Sequence, residues 1–155
     1  MENLTITLSL TDIMQRCRML AAYEGRDRSD GAGQNMYEKL AITPQDEPLV
    51  GVFLSQALLA VRQRLDDMIL SVTATAGSTP EEQWTIRSIQ RRYDTKGYDG
   101  LVTHLKEALS ASVLAAWLTF NAVDQRAAFY VSVFESEMKL ISDNIHTKAA
   151  PKRPT

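Results

Sequence analysis

The chain has 155 residues, of which 45% are hydrophobic and 23% charged, and its formal net charge is −2. This length predicts one domain, and the composition excludes a disordered, collagen-like or low-complexity protein. The single cysteine, Cys17, excludes an internal disulfide and a structural metal held by a cluster of thiolates. No apolar run reaches the ~18 residues of a membrane span, and the start of the chain lacks the basic and apolar pattern of a signal peptide. We therefore expect a soluble protein that is made in the cytoplasm and does not contact membranes.

The first third of the chain predicts a strand, a helix and a loop. Residues 4–10 alternate apolar side chains with threonine and serine, which is typical of a half-buried strand. Residues 11–24 follow three-and-four spacing, so they predict a helix with Cys17 and Glu24 on its apolar stripe. Residues 25–35 are polar and glycine-rich, but they lack the Gly-Lys-Ser/Thr of a phosphate loop and the closing glutamate of a calcium loop. We interpret this segment as a connector.

A long second helix is predicted over residues 47–72. Residues 43–48 combine cap residues, prolines and acids, the composition of a helix N-terminus. Apolar residues then keep helical spacing for about seven turns.

The segment that follows is ambiguous between strand and helix. Residues 79–82 read as a capping box, which would make residues 81–93 a helix. The β-branched and aromatic residues that alternate from Trp84 favour a strand over residues 83–90 instead. We expect this strand to pair with residues 4–10, because two sheet edges then satisfy each other. Residues 93–100 read as a turn-rich link.

Two further helices are predicted over residues 100–120 and 124–145, separated by cap-forming residues. The last helix carries a strict four-three alternation that is typical of a helix-packing seam, formed by Ala127, Val131, Phe134, Met138, Ile141 and Ile145. Additional apolar residues widen this stripe and predict contacts on two sides, namely Phe129, Tyr130, Val133 and Leu140. The predicted fold is mainly α: a four-helix bundle-like domain over residues 1–147 with a small two-stranded sheet. Residues 148–155 form a basic, proline-containing tail that we expect to be flexible.

The sequence contains no recognisable catalytic or metal-binding motif. His104 and His146 lack the spacing of di-iron or zinc sites, and no nucleophile motif is present. We therefore predict a protein without enzymatic activity, cofactor or metal. The densest basic cluster consists of Arg87, Arg91, Arg92 and Lys96. This cluster would face DNA or a partner if it is functional, but we favour a solvated surface paired with nearby acids.

Four segments carry a resemblance to a known family. They are a threonine-rich strand followed by Thr11-Asp-Ile-Met, the loop Gly25-Arg-Asp-Arg, a Trp117-to-Asn121 turn before a helix bearing Tyr130, and the closing Pro151-Lys-Arg-Pro154. In this order the elements resemble the head–tail connector, or neck adaptor, proteins of tailed bacteriophages and prophages, particularly those of Bacteroidetes hosts.

The resemblance implies a structural virion protein without catalytic residues. Such a protein forms a ring, often twelve-fold, between portal and tail in the virion neck, is assembled in the host cytoplasm, and meets DNA only non-specifically in its lumen. On this view the candidate subunit interface consists of Phe129, Val133, Phe134, Met138 and Ile141. The candidate docking residues of the tail are Lys148, Lys152 and Arg153. The alternative is a monomeric or dimeric binding or regulatory module with an interhelical pocket lined by Phe, Trp and Met.

Overall fold

The computed structural model describes residues 4–26, 37–77, 79–87 and 95–146. Its elements in chain order are β1 (Leu4–Ser9), α1 (Leu10–Arg26), α2 (Tyr37–Leu40), α3 (Glu47–Arg64), β2 (Ile69–Thr75), β3 (Glu81–Ile86), α4 (Thr95–Phe120) and α5 (Asp124–His146). The protein is mainly helical with a small antiparallel sheet, as the sequence predicts. The buried residues of these elements form one hydrophobic core.

Helix α4 is the centre of the core. Its fully buried leucines are distributed along the helix, and they are Leu101, Leu105, Leu109, Leu114 and Leu118. Helix α5 folds back on α4 as a hairpin, while α1 and α3 pack on other sides of α4. The predicted break between the last two helices is confirmed. Its turn holds Ala122 at a φ of 60°, and the Val123 N–H donates to the Leu118 carbonyl at 2.8 Å, which closes the end of α4.

The sheet has the strand order β1-β3-β2, with both neighbours antiparallel to β3. The predicted pairing of the first strand with the later one is confirmed, with Ile6 opposite Trp84. Ile6 and Trp84 are fully buried on the inner face, whereas Thr5 and Thr7 are exposed on the outer face. The indole N–H of Trp84 donates to the buried Glu82 carboxylate at 3.0 Å. The alternation in the sequence is therefore the alternation between core and solvent.

The prediction of one long helix over residues 47–72 is wrong beyond Arg64. Helix α3 ends there, the chain turns through Leu65 and Met68, and residues 69–75 form β2, so the sheet has three strands rather than two. Leu65 and Met68 are buried in this turn, so the apolar spacing continues although the helix does not. Ile, Val and two Thr residues within β2 favour the extended backbone, because β-branched side chains fit a pleated strand.

Two boundaries in the middle of the chain also differ from the predictions. The second predicted strand lies at residues 81–86 rather than 83–90, so strand is the correct alternative there. Residues 88–93, the remainder of the ambiguous segment, lie outside the described residues. Helix α4 begins at Thr95, inside the predicted link. Gly97 and Gly100 indicated a turn, but the leucines that follow hold the helix in the core, and tertiary packing overrides weak local propensity.

Candidate assembly surface

Helix α5 has an inner face in the core and an apolar stripe on its outer side. Ala127, Tyr130 and Ile141 are buried on the inner face. On the other side, four residues follow four-three-four spacing and therefore share one flank of the helix. We call them the outer stripe, and they are Phe129, Val133, Ser136 and Leu140. Phe129 and Leu140 are 45% and 44% exposed, Val133 is half-buried and Ser136 is exposed.

The predicted subunit interface is partly wrong. Met138 and Ile141 are 5% and 0% exposed and belong to the chain's own core. Phe134 is half-buried, and the Arg64 guanidinium lies 5.4 Å from its ring centroid. Arg64 in turn donates two hydrogen bonds, of 2.7 and 2.6 Å, to the Glu135 carboxylate. Of the strict seam in the sequence, Ala127, Met138 and Ile141 are buried inside the chain, whereas Val131 is 50% exposed. Of the five predicted interface residues, the outer stripe keeps Phe129 and Val133.

A partly buried ion pair fixes the Arg126 side chain that lies over Phe129. The Arg126 guanidinium carbon lies 4.1 Å from the Phe129 ring centroid. Arg126 donates to both Glu24 carboxylate oxygens, at 3.0 and 2.7 Å, and the Tyr130 hydroxyl donates to the same carboxylate at 2.9 Å. The Phe129 and Tyr130 rings meet edge to face, with centroids 5.2 Å apart. Phe129 is therefore an exposed aromatic ring that is held in place before any partner binds.

The electrostatics of this cluster favour one protonation state. The hydrogen bond to Glu24 raises the pKa of Arg126 further above its usual range. Burial, and then the hydrogen bond to Glu24, raise the pKa of Tyr130 to about 12. Arg126 is therefore a cation and Tyr130 a neutral donor at physiological pH. Together they join the C-terminal end of α1 to the first turns of α5. The sequence placed Glu24 on the apolar stripe of α1, but no local signal pointed to its partners more than 100 residues away.

A second exposed aromatic group lies at the C-terminal end of α4. Phe120 is 63% exposed, stacks on Trp117 at a centroid distance of 6.0 Å, and meets Phe53 edge to face at 6.5 Å. The Trp117 indole N–H donates to the Leu40 carbonyl at 2.8 Å, and this hydrogen bond fixes the orientation of the Trp117 ring on which Phe120 stacks. The sequence prediction did not single out this group.

The predicted basic cluster is only partly described. Arg87 follows β3, its side chain is exposed, and its N–H donates to the Met68 carbonyl at 2.7 Å. Lys96 lies in the first turn of α4. Arg91 and Arg92 lie outside the described residues, and so do the tail residues Lys148, Lys152 and Arg153.

Cys17 and His104 have structural partners. Cys17 is fully buried, as the sequence predicts, and burial raises the pKa of its thiol to about 12. His104 Nδ1 lies 2.6 Å from a Glu137 carboxylate oxygen and links α4 to α5. The described residues contain no group of three potential metal ligands. None of the helices in the described part of the chain has the length and apolar character needed to cross a bilayer.

Two open grooves lie beside α3. The first, of about 410 Å³, separates α1 from α3 and has Met14, Leu54 and Leu58 in its lining. The second, of about 390 Å³, lies between the end of α3 and α5 and is lined mainly by charged and polar residues, Arg64 and Lys139 among them. Of the Phe, Trp and Met side chains that the binding-module alternative expects, these two grooves contain only methionine, Met14 in the first and Met138 in the second.

Comparisons with known proteins identify no relative. The chain matches no family model, no curated protein and no solved structure. The functional conclusion therefore depends on the sequence and on the geometry of these surfaces.

Proposed function

We propose that this chain is a structural adaptor that assembles into a ring, of the head–tail connector type, in the neck of a tailed-phage virion. The observation that carries the proposal is the outer stripe of α5, whose three apolar residues, Phe129, Val133 and Leu140, are covered only in part by the chain's own core. The order of elements that resembles neck adaptors supports the same conclusion. On this proposal the partners are further copies of the chain, a portal and a tail protein.

The stripe has the properties of a subunit contact. Its four-three-four spacing is the spacing with which one helix packs against another. Aromatic residues and arginine are enriched in protein interfaces, and Phe129 lies beneath the fixed Arg126 guanidinium. A contact between this stripe and a different surface of the next copy is heterologous, and repeated contacts of that kind close into a ring when the rotation permits. A ring of mildly acidic subunits, each with a net charge of −2, would let DNA pass without holding its phosphates.

The test compares two exposed positions on different flanks of α5. Phe129→Ser removes the aromatic member of the outer stripe, and Val131→Ser is the matched control, because Val131 is 50% exposed but lies off the stripe. Native mass measurement and negative-stain microscopy should show a ring for the wild type and for Val131→Ser. We expect Phe129→Ser to raise the concentration at which the ring forms by about tenfold or more, since each ~1.4 kcal/mol of lost contact energy is one factor of ten. Both variants should keep the helical circular dichroism spectrum.

Two results would contradict the proposal. A wild-type chain that remains monomeric at its highest soluble concentration would remove the ring. A ring that weakens equally with both substitutions would show that the outer stripe has no particular role. A monomer that binds a small molecule in the groove between α1 and α3 would instead favour the binding-module alternative.

A further inference from the structure

The two edges of the sheet are unusual in their charge distribution. Proteins commonly protect edge strands with proline or with charged residues, lysine above all, because unpaired backbone N–H and C=O groups recruit other strands. Here neither β1 (LTITLS) nor β2 (ILSVTAT) contains a charged residue or a proline, whereas the central strand β3 carries Glu81 and Glu82. Within the described chain, no backbone hydrogen bond joins β1, or residues 70–75 of β2, to a segment other than β3. Among the described residues, no strand other than β3 pairs with either edge, so each edge can accept a further strand.

The inner side of β2 is also incompletely covered. The inward-pointing residues of β1 and β3 are buried; Leu8 in β1 is 0% exposed and Ile86 in β3 is 1% exposed. On β2 the corresponding residues face the same side, because Val72 is opposite Trp84 and Ala74 is opposite Glu82. Val72 is only half-buried and Ala74 is exposed. Strand β2 thus extends past the helical layer, with an apolar side that its own chain leaves partly uncovered.

We propose that β2 of one copy pairs with β1 of the next copy, so that the sheet continues from subunit to subunit. This inference rests on the proposed ring and names the contact that propagates it. The two edges are similar in length, with six and seven residues. Beyond the irregularity at Leu70, which is 46% exposed, residues 71–75 of β2 alternate as β1 does, with apolar side chains inward and Thr or Ser outward. Both strands are antiparallel to β3 and therefore point the same way, so copies related by rotation about one ring axis present β2 and β1 to each other as a parallel pair. The contact is heterologous and uses each edge once per copy.

The first experiment places an inward-pointing charge on the edge. Ala74→Lys introduces the residue that natural edge strands use against pairing, at an exposed position on the inner side of β2. Ala76→Lys is the matched control, because Ala76 is also exposed but lies just beyond the end of β2. We expect Ala74→Lys to raise the concentration needed for assembly by about tenfold or more, with an unchanged melting temperature, and Ala76→Lys to assemble as the wild type does.

The second experiment identifies which strands meet. Thr73→Cys marks the outer side of β2, and Thr5→Cys and Thr7→Cys mark the outer side of β1. Each β1 variant is mixed with ¹⁵N-labelled Thr73→Cys protein and oxidised. The native Cys17 does not compete, because it is buried and its pKa is raised to about 12. We expect a disulfide-linked dimer with one labelled and one unlabelled chain, because only adjacent outward side chains bring two Cβ atoms within the ~4 Å that a disulfide needs.

The outcomes separate this contact from the proposed function. A dimer formed by Thr73→Cys alone would show symmetric β2–β2 pairing and overturn the head-to-tail contact. Rings that form equally well with Ala74→Lys would overturn the edge pairing and leave the ring proposal standing. Mixed disulfides in open fibres, with no ring for the wild type, would support the edge pairing and refute the ring. A wild-type chain that stays monomeric and gives no mixed disulfide would overturn both.

Discussion

The buried carboxylate of Glu24 is the residue on which the α1–α5 contact depends. Its side chain is 6% exposed, and Arg126, which pairs with it, is 31% exposed. Removing Arg126 takes two charge-assisted hydrogen bonds from a poorly solvated carboxylate, and such a loss usually costs more than the pair itself contributes. The pair therefore acts as a constraint on geometry as much as a source of stability.

We predict that Arg126→Leu lowers the free energy of unfolding by about 2–3 kcal/mol, below the range for a fully buried pair because Arg126 retains solvent contact. The matched control is Arg64→Leu. Arg64 also donates two hydrogen bonds to one carboxylate, that of Glu135, but this ion pair lies on the exposed surface. Exposed pairs contribute little, so the control should unfold at nearly the wild-type denaturant concentration. Urea titrations followed by circular dichroism make the comparison, and equal effects of the two substitutions would contradict it.

At the scale of single elements, periodicity predicted helices well and their ends poorly. The helices predicted over residues 11–24 and 124–145 are confirmed as Leu10–Arg26 and Asp124–His146. The helix over residues 47–72 failed where Leu65 and Met68 continue the apolar spacing through a turn. Leu65, Met68, Ile69 and Val72 fit the spacing of a helix, and they fit a turn followed by a strand equally well. Only the sheet partner β3 decides between the two.

The candidate assembly surface, like the helices, was only partly predictable from the sequence. The two apolar flanks of α5 are visible in the sequence, but their assignment to core or solvent is not. That assignment depends on which flank faces α4, and Met138 and Ile141 face it. The contact between Arg126 and Glu24 joins residues 102 positions apart, so it has no local signal. Both failures arise because tertiary neighbours are absent from any short window of sequence.

The alternation on β3 gives a prediction for the sheet as an element. Trp84 is fully buried and donates its indole N–H to Glu82, whereas Thr85 points to the outer face. We expect Trp84→Ala to lower the free energy of unfolding by about 3–5 kcal/mol, the range for a large side chain removed from a packed core. Thr85→Ala should cost much less, because it removes only strand propensity. Guanidinium unfolding of the two variants provides the measurement, and similar losses would show that the inner face of the sheet is not part of the core.

At the scale of the whole molecule, the outer stripe and the sheet edges lie on different elements. The stripe belongs to α5, which packs on α4, and the edges belong to a sheet that contacts α4 through β1 and α1 through β3. In the proposed ring each copy contacts one neighbour on either side, β1 and β2 would face opposite neighbours, and the outer stripe would add a second contact to this pairing. A substitution on either surface should therefore weaken assembly without unfolding the subunit. Substitutions in a core face, by contrast, would lower the stability of the subunit itself.

The C-terminal tail, residues 148–155, gives the last prediction. It carries three cations, two prolines and no large apolar residue, so it has little to gain by packing on its own domain. We predict that its deletion leaves the thermal melting temperature unchanged and weakens assembly, because the cations would dock on an acidic neighbour. Each exposed ion pair contributes only ~0–1 kcal/mol, so the effect should be smaller than that of Phe129→Ser and should fade at high salt. The triple substitution of Lys148, Lys152 and Arg153 by Gln is the control for charge, and it should reproduce the deletion. A deletion that unfolds the isolated subunit would show that the tail is part of the core.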